Sequence, residues 1–209
     1  MILFLEILML RRILAAMAVV PFLLFSAPLK AEEATKLPIG LQLYMQAQKK
    51  VSVQEYDDAI LLFLQSVDAS ETNELKRLAA TGVLNSHLAA GFYFQEAPDK
   101  VVYHLTEALK LKPTVSRAWS RKGQAHCKLK QYQDCDDALT MAIEHSPIEY
   151  RHHLIWQRAV TRHVDMNRPQ LAAKDFVAAT KQAQAYGDTK MVTAFLTSAK
   201  AFGYNITRP

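Results

Sequence analysis

The sequence predicts an all-α fold, a solenoid of about four helix pairs ending in a capping helix, and three observations carry that prediction. Packing residues recur 34 positions apart through both helices of a repeat: Pro113 and Pro147, Ala108 and Ala142, Leu105 and Leu139, Val101 and Cys135, Ala89 and Gly123. The chain holds only six glycines in 209 residues and is rich in strong helix formers. Half of its residues are hydrophobic and 22% are charged, so it can bury a core.

Residues 1–31 read as a secretory signal peptide. Arg11-Arg12 precede an apolar run at 13–27, and Lys30-Ala31 lead into Glu32-Glu33. Cleavage is expected after Ala31, with Leu29 two positions before it, or else after Ala27. The apolar stretch ahead of the arginines does not fit the usual basic start; initiation at Met9 would leave a signal of about 23 residues. A retained membrane anchor is the alternative, although the run is short of the roughly 20 residues a span needs and Pro21 interrupts it. No cysteine lies near the boundary, which argues against a lipid anchor. These features predict export to the periplasm of a Gram-negative bacterium, or anchorage in the inner membrane with the repeats facing the periplasm. Residues 32–39 read as a linker.

The repeats occupy residues 40–186 and a capping helix and tail occupy 187–209. Helices are expected at 40–50 and 55–68, 73–95 and 99–111, 115–128 and 131–144, 148–165 and 169–186, with the cap at 189–203. Tyr56, Ala59 and Phe63 precede Tyr132, Cys135 and Leu139 by 76, which is two periods plus 8; the excess should lengthen the helix that starts at 73 by about two turns. Ala172, Phe176 and Ala179 follow Cys135, Leu139 and Ala142 by 37, so three extra residues belong in the turn at Asp165–Pro169. Small residues (Ala59, Ala89, Gly123, Cys135, Ala142) let paired helices approach closely. Trp119, Leu139, Phe63 and Phe176 fill the space between pairs, at about 1.5–3 kcal/mol each on burial. Pro113 and Pro147 stop one helix before the next begins. Met191, Phe195, Leu196 and Phe202 give the cap an apolar face for the fourth pair, as solenoid ends require.

The stretch from Trp119 to Pro147, with Gly123, His126, Tyr132, Cys135, Leu139 and Ala142 between them, resembles the tetratricopeptide repeat (TPR) family. The resemblance extends over about residues 40–186. It implies a right-handed α-solenoid of TPR-like helix pairs, with the first helix of each pair lining a concave face where ligands lie. It also implies a non-enzymatic scaffold for protein binding.

On that face the chemistry would be basic. Arg117, Arg121, Gln124 and Lys128 are spaced four, three and four apart, so they share one side of a helix. Arg151, Arg158 and Arg162 follow Arg117, Gln124 and Lys128 by 34, which should set the two rows side by side. Guanidinium groups hold carboxylates bidentately. The expected partner is therefore an acidic protein or peptide in a basic groove, with His87, Tyr93 and Phe94 forming an aromatic end. The bland reading of the same rows is a solvated face, and that of the aromatic end is that Phe92 and Phe94 simply pack against the long 73–95 helix. Two other functions stay open: an accessory or assembly factor binding through apolar convex or cap surfaces, and a carboxylate clamp. The segment Arg117–Ala125 looks like the third-repeat clamp of co-chaperone TPR domains, and Asn85 could match a second-repeat asparagine. Tyr44 and Gln48 stand where that clamp has a lysine and an asparagine.

The formal charge is +5, of which residues 1–31 hold +2 (Arg11, Arg12 and Lys30 against Glu6), leaving +3. That is too mild to point to nucleic acid. Cys127 and Cys135 could bridge one hairpin in an oxidising compartment, or Cys135 could serve as a small packing residue. Adjacent His152 and His153 should point about 100° apart on a helix and share an ion poorly. Neither HExxH nor a Cys/His cluster with ligand spacing occurs, so no metal or cofactor is expected. Nucleophile elbows and glycine-rich phosphate loops are also missing from the sequence, and no enzyme activity is expected. Asp57-Asp58, Asp134 and Asp136-Asp137 sit at helix starts, where acids favour the macrodipole. Asn205-Ile206-Thr207 is a glycosylation sequon, which carries chemistry only in a eukaryotic host.

Overall fold

The computed structural model describes residues 37–207; the segment expected to be a signal or anchor, and most of the 32–39 linker, lie outside the described residues. The described chain is an all-α solenoid of four helix pairs and a cap. The pairs are α1 (Ile39–Ser52) with α2 (Tyr56–Ala69), α3 (Asn73–Tyr93) with α4 (Pro98–Leu111), α5 (Ser116–Lys128) with α6 (Tyr132–His145), and α7 (Arg151–Val164) with α8 (Pro169–Ala185). A 3-10 turn, Ile148–Tyr150, leads into α7, and the cap is α9 (Thr189–Ala201). Among the described residues no helix is long and apolar enough to cross a membrane.

The spacing arguments reappear as geometry. Helix α3 has 21 residues against 14 in α1 and α2, which is where the extra two turns belong. Among the described residues three non-glycine positions adopt positive φ, Gln54 (64°), Lys130 (60°) and Asn167 (50°), each in the turn inside a pair. They are related by the offsets of 76 and 37 that relate the packing residues, so the same turn is reused in pairs one, three and four. Asparagine tolerates this region best, whereas Gln54 and Lys130 accept its cost of about 1–2 kcal/mol to close the hairpin. Two of the pairs are also stitched end to end. The Ser66 hydroxyl donates to the Gly40 carbonyl (2.7 Å) in the first pair, and the Ser116 hydroxyl to the Ala142 carbonyl (2.9 Å) in the third.

Phe63, Leu105, Leu139 and Phe176 are all but completely buried between pairs. Gly123 shows why a small residue stands there: a Cβ would lie 3.2 Å from Leu139 and 3.3 Å from the Cys135 carbonyl. Trp119 is only half-buried; it packs against the cluster that holds Val101, Leu105, Leu109, Ala118 and Ala125, while its indole N–H donates to the Pro113 carbonyl (2.7 Å). The cap buries Val192 and Phe195 against Ala179 and Ala183, and Phe195 stacks on Trp156 at 4.3 Å. Beyond the cap, Phe202, Tyr204 and Ile206 fold back on Ala159, Ala172 and Phe176.

Besides packing on their sequence neighbours, α1 touches α3 and α3 touches α5. Helix α5 reaches α7 where the Thr161 hydroxyl meets Cys127 Sγ (3.5 Å). The first helices of the pairs thus form one continuous layer, and the candidate site lies on it.

Candidate partner-binding surface

Two of the three arginines expected on α7 are not open to a partner. Arg158 donates through Nε and NH2 to both oxygens of Asp175 (2.9 Å each) and through NH1 to the Thr140 hydroxyl (2.9 Å). Arg162 donates to both oxygens of Asp136 (2.6 and 3.0 Å) and to Asp175 (2.9 Å). The four side chains are only 7–15% exposed. Burial alone would lower the Arg162 pKa, but the hydrogen bond to Asp136 and the charges of Asp175 and Asp136 outweigh it and hold it raised. This is a desolvated network joining α6, α7 and α8, so Arg158 and Arg162 are corrected from groove residues to structural ones. Asp136 changes role with them: it is a buried ion-pair partner rather than a helix-start acid. Arg151 is also turned inward, donating to the carbonyls of Ser146 (2.9 Å) and Glu144 (3.3 Å), where a cation suits the end of α6.

The α5 row behaves differently. Arg117, Ser120, Arg121 and Gln124 line a depression of about 410 Å³ together with Phe92 and Gln95 from the end of α3. The Arg117 guanidinium lies over the Phe92 ring at 5.3 Å, a cation–π contact. Lys128 donates to the Gln95 carbonyl (3.2 Å). Among the described residues Arg117, Arg121 and Lys128 have no ion-pair partner. A second depression of about 760 Å³ adjoins the first through Phe92 and Gln95 and is lined by Tyr56, Ala89, Tyr93, Phe94, Glu96 and Ala97. Basic and aromatic surfaces therefore meet at Phe92, which lines both depressions.

His87 is not part of this surface. It is buried against His104, with Nδ1 atoms 3.2 Å apart, and Asp57 reaches His104 Nε2 at 3.4 Å. Burial lowers the pKa of both histidines, and the His104 charge adds to the effect on His87. Tyr44 accepts a hydrogen bond from Gln48 (3.0 Å), so the first pair engages these side chains with each other.

Cys127 and Cys135 are joined as a disulfide, S–S 2.07 Å, which ties α5 to α6 across their turn. The buried Thr161 hydroxyl donates toward its sulfurs, 3.5 and 4.0 Å away. The expected divergence of His152 and His153 is not what the first turn of α7 does: their ring centroids are 4.1 Å apart.

No protein-family model matches the chain, and no curated protein matches it. Among solved structures, one described as the crystal structure of MamA is similar at 16% identity, covering 75% of this chain and 94% of its own, with a TM-score of 0.43. Another, the crystal structure of MamA protein, is similar at 17% identity over 78% of this chain and 87% of its own, with a TM-score of 0.47. At that level neither bears on what the chain binds.

Proposed function

We propose that this chain is a TPR-like, non-enzymatic scaffold of the cell envelope that holds an acidic protein segment against Arg117, Arg121 and Lys128, with Phe92 beside them. The observation that carries the reading is the α5 depression, whose lining arginines, Arg117 and Arg121, are paired with no acid among the described residues. Two arginines four residues apart on one helix face can each take a carboxylate bidentately. The adjoining aromatic surface around Tyr93 and Phe94 would take an apolar side chain of the same segment. The 34-residue recurrence and the reused hairpin turn support the TPR assignment. The Cys127–Cys135 bridge favours an oxidising compartment, in keeping with a signal-like N-terminus and a periplasmic location.

The test is capture from envelope extract by the wild-type chain and by R117E/R121E. A partner held by the wild type at low salt, released at high salt and absent from the variant supports the reading. A partner held equally by both contradicts it. A second reading, an assembly factor binding through apolar surface, draws on Leu61, Leu64, Tyr103 and Leu111, which are exposed on α2 and α4. Binding through that face would withstand salt.

A further inference from the structure

Outside the α5 depression, one buried histidine stands apart from the others. His126, His163 and the His87–His104 couple each have a hydrogen-bonding neighbour: Gln131 at 2.7 Å, Tyr204 at 2.8 Å, and each other at 3.2 Å. His152, in the first turn of α7, is 3% exposed, yet among the described residues neither of its ring nitrogens has a well-formed hydrogen bond. Buried polar groups are almost always satisfied, so an orphaned pair of nitrogens calls for a missing partner.

The surroundings indicate what that partner is. Asp188, the N-cap of α9, uses Oδ1 to accept from the Met191 N–H (3.0 Å) and turns Oδ2 toward His152 Nε2, 3.7 Å away and too far for a hydrogen bond. The exposed His153 ring lies against His152. One ligand atom from each of the three residues lies within 4.8 Å of the others. Atoms each about 2.1 Å from one ion are at most about 4.2 Å apart, so a small rotation of the solvent-facing His153 closes the set.

The geometry points to a divalent transition-metal site formed by His152, His153 and Asp188, of the class zinc fills. Two imidazoles and one carboxylate select zinc-like ions over magnesium or calcium, which prefer all-oxygen shells. The Met191 N–H orients the carboxylate, as outer-shell donors do in metal sites. Three protein ligands leave a position for water on the His153 side. Because the ligands come from the start of α7 and the N-cap of α9, the ion would clip the capping helix onto the fourth pair. Aromatic packing alone, with Phe195 about 6 Å from both histidine rings, is the competing explanation.

The test is zinc titration of the untagged full chain by calorimetry, with magnesium as the control ion, and thermal melting with and without zinc. The expected result is one zinc per chain, no magnesium binding, and a melting temperature raised by about 5–10 °C at a hundredfold excess over Kd. H153A removes an exposed ligand, and D188N keeps the cap acceptor while removing the charge. Each should weaken zinc binding at least tenfold and abolish the thermal shift, whereas H145A should bind as the wild type does. Absence of stoichiometric zinc binding, or equal binding by H153A and D188N, overturns the proposal.

Discussion

Asp175→Ala tests whether the arginines of α7 hold the fold together. Asp175 is 8% exposed at its side chain and accepts three hydrogen bonds, two from Arg158 and one from Arg162. Removing it leaves two guanidinium groups in a largely dehydrated site. Breaking a buried ion pair from one side costs about 3–5 kcal/mol. Here Arg158 keeps Thr140 and Arg162 keeps both oxygens of Asp136, and the two arginine side chains are 14–15% exposed. The low end, about 3 kcal/mol, is therefore expected. For a domain of this size that is a fall of about 6–12 °C in melting temperature. Urea denaturation followed by circular dichroism gives the free energy, and the slope shows whether the solenoid still unfolds as a unit. A loss under about 0.5 kcal/mol, the range of an ordinary surface substitution, would refute the assignment and return Arg158 and Arg162 to the groove.

Two further outcomes follow from the geometry. Reducing the Cys127–Cys135 bridge, whose cysteines are 8 apart in sequence, should lower stability by about 2–3 kcal/mol on the chain-entropy estimate, read as a shift of the urea midpoint with and without reductant. Acid should destabilise the second pair. His87 and His104 have pKa values lowered on folding by burial, so below about pH 6.5 the unfolded chain binds more protons than the folded one. Stability should therefore be full above that pH and decline as the pH falls from it toward the folded-state pKa values. H87N/H104N should flatten the profile of melting temperature against pH, and an unchanged slope would point to other groups.

What was legible in the sequence was the packing. Apolar and small residues repeat with the period of the helix pair, and the offsets of 34, 76 and 37 fixed both the long α3 and the wide turn before Pro169. The same registers set which backbone positions meet, so the turns at Gln54, Lys130 and Asn167 follow from them. The site was less legible because charge rows do not say where their counter-charges are. Arg158 and Arg162 share a period with Gln124 and Lys128, but the acids that neutralise them lie on α6 and α8. The clue was local: Asp136 follows the packing residue Cys135, and Asp175 precedes Phe176, so both carboxylates sit at the edge of buried faces. An acid beside a packing position of one helix, with an arginine on the facing helix, is a pair before it is a solvated charge. His152 carried no such clue, because Asp188 reaches it only through the docking of α9.

The most direct test of the binding account is a titration of a short Asp/Glu-rich peptide carrying one phenylalanine into the wild type and R117E/R121E, repeated from about 0.1 M to about 1 M salt. The account predicts that the wild type binds, that salt weakens the complex as screening shortens, and that the double reversal costs at least about a hundredfold, the loss of two charge-assisted contacts of about 1.5 kcal/mol each. Circular dichroism of the variant should be unchanged, since both side chains line the open depression rather than the core. Equal affinity in the two proteins, or affinity indifferent to salt, would contradict the basic groove and leave α5 a solvated face.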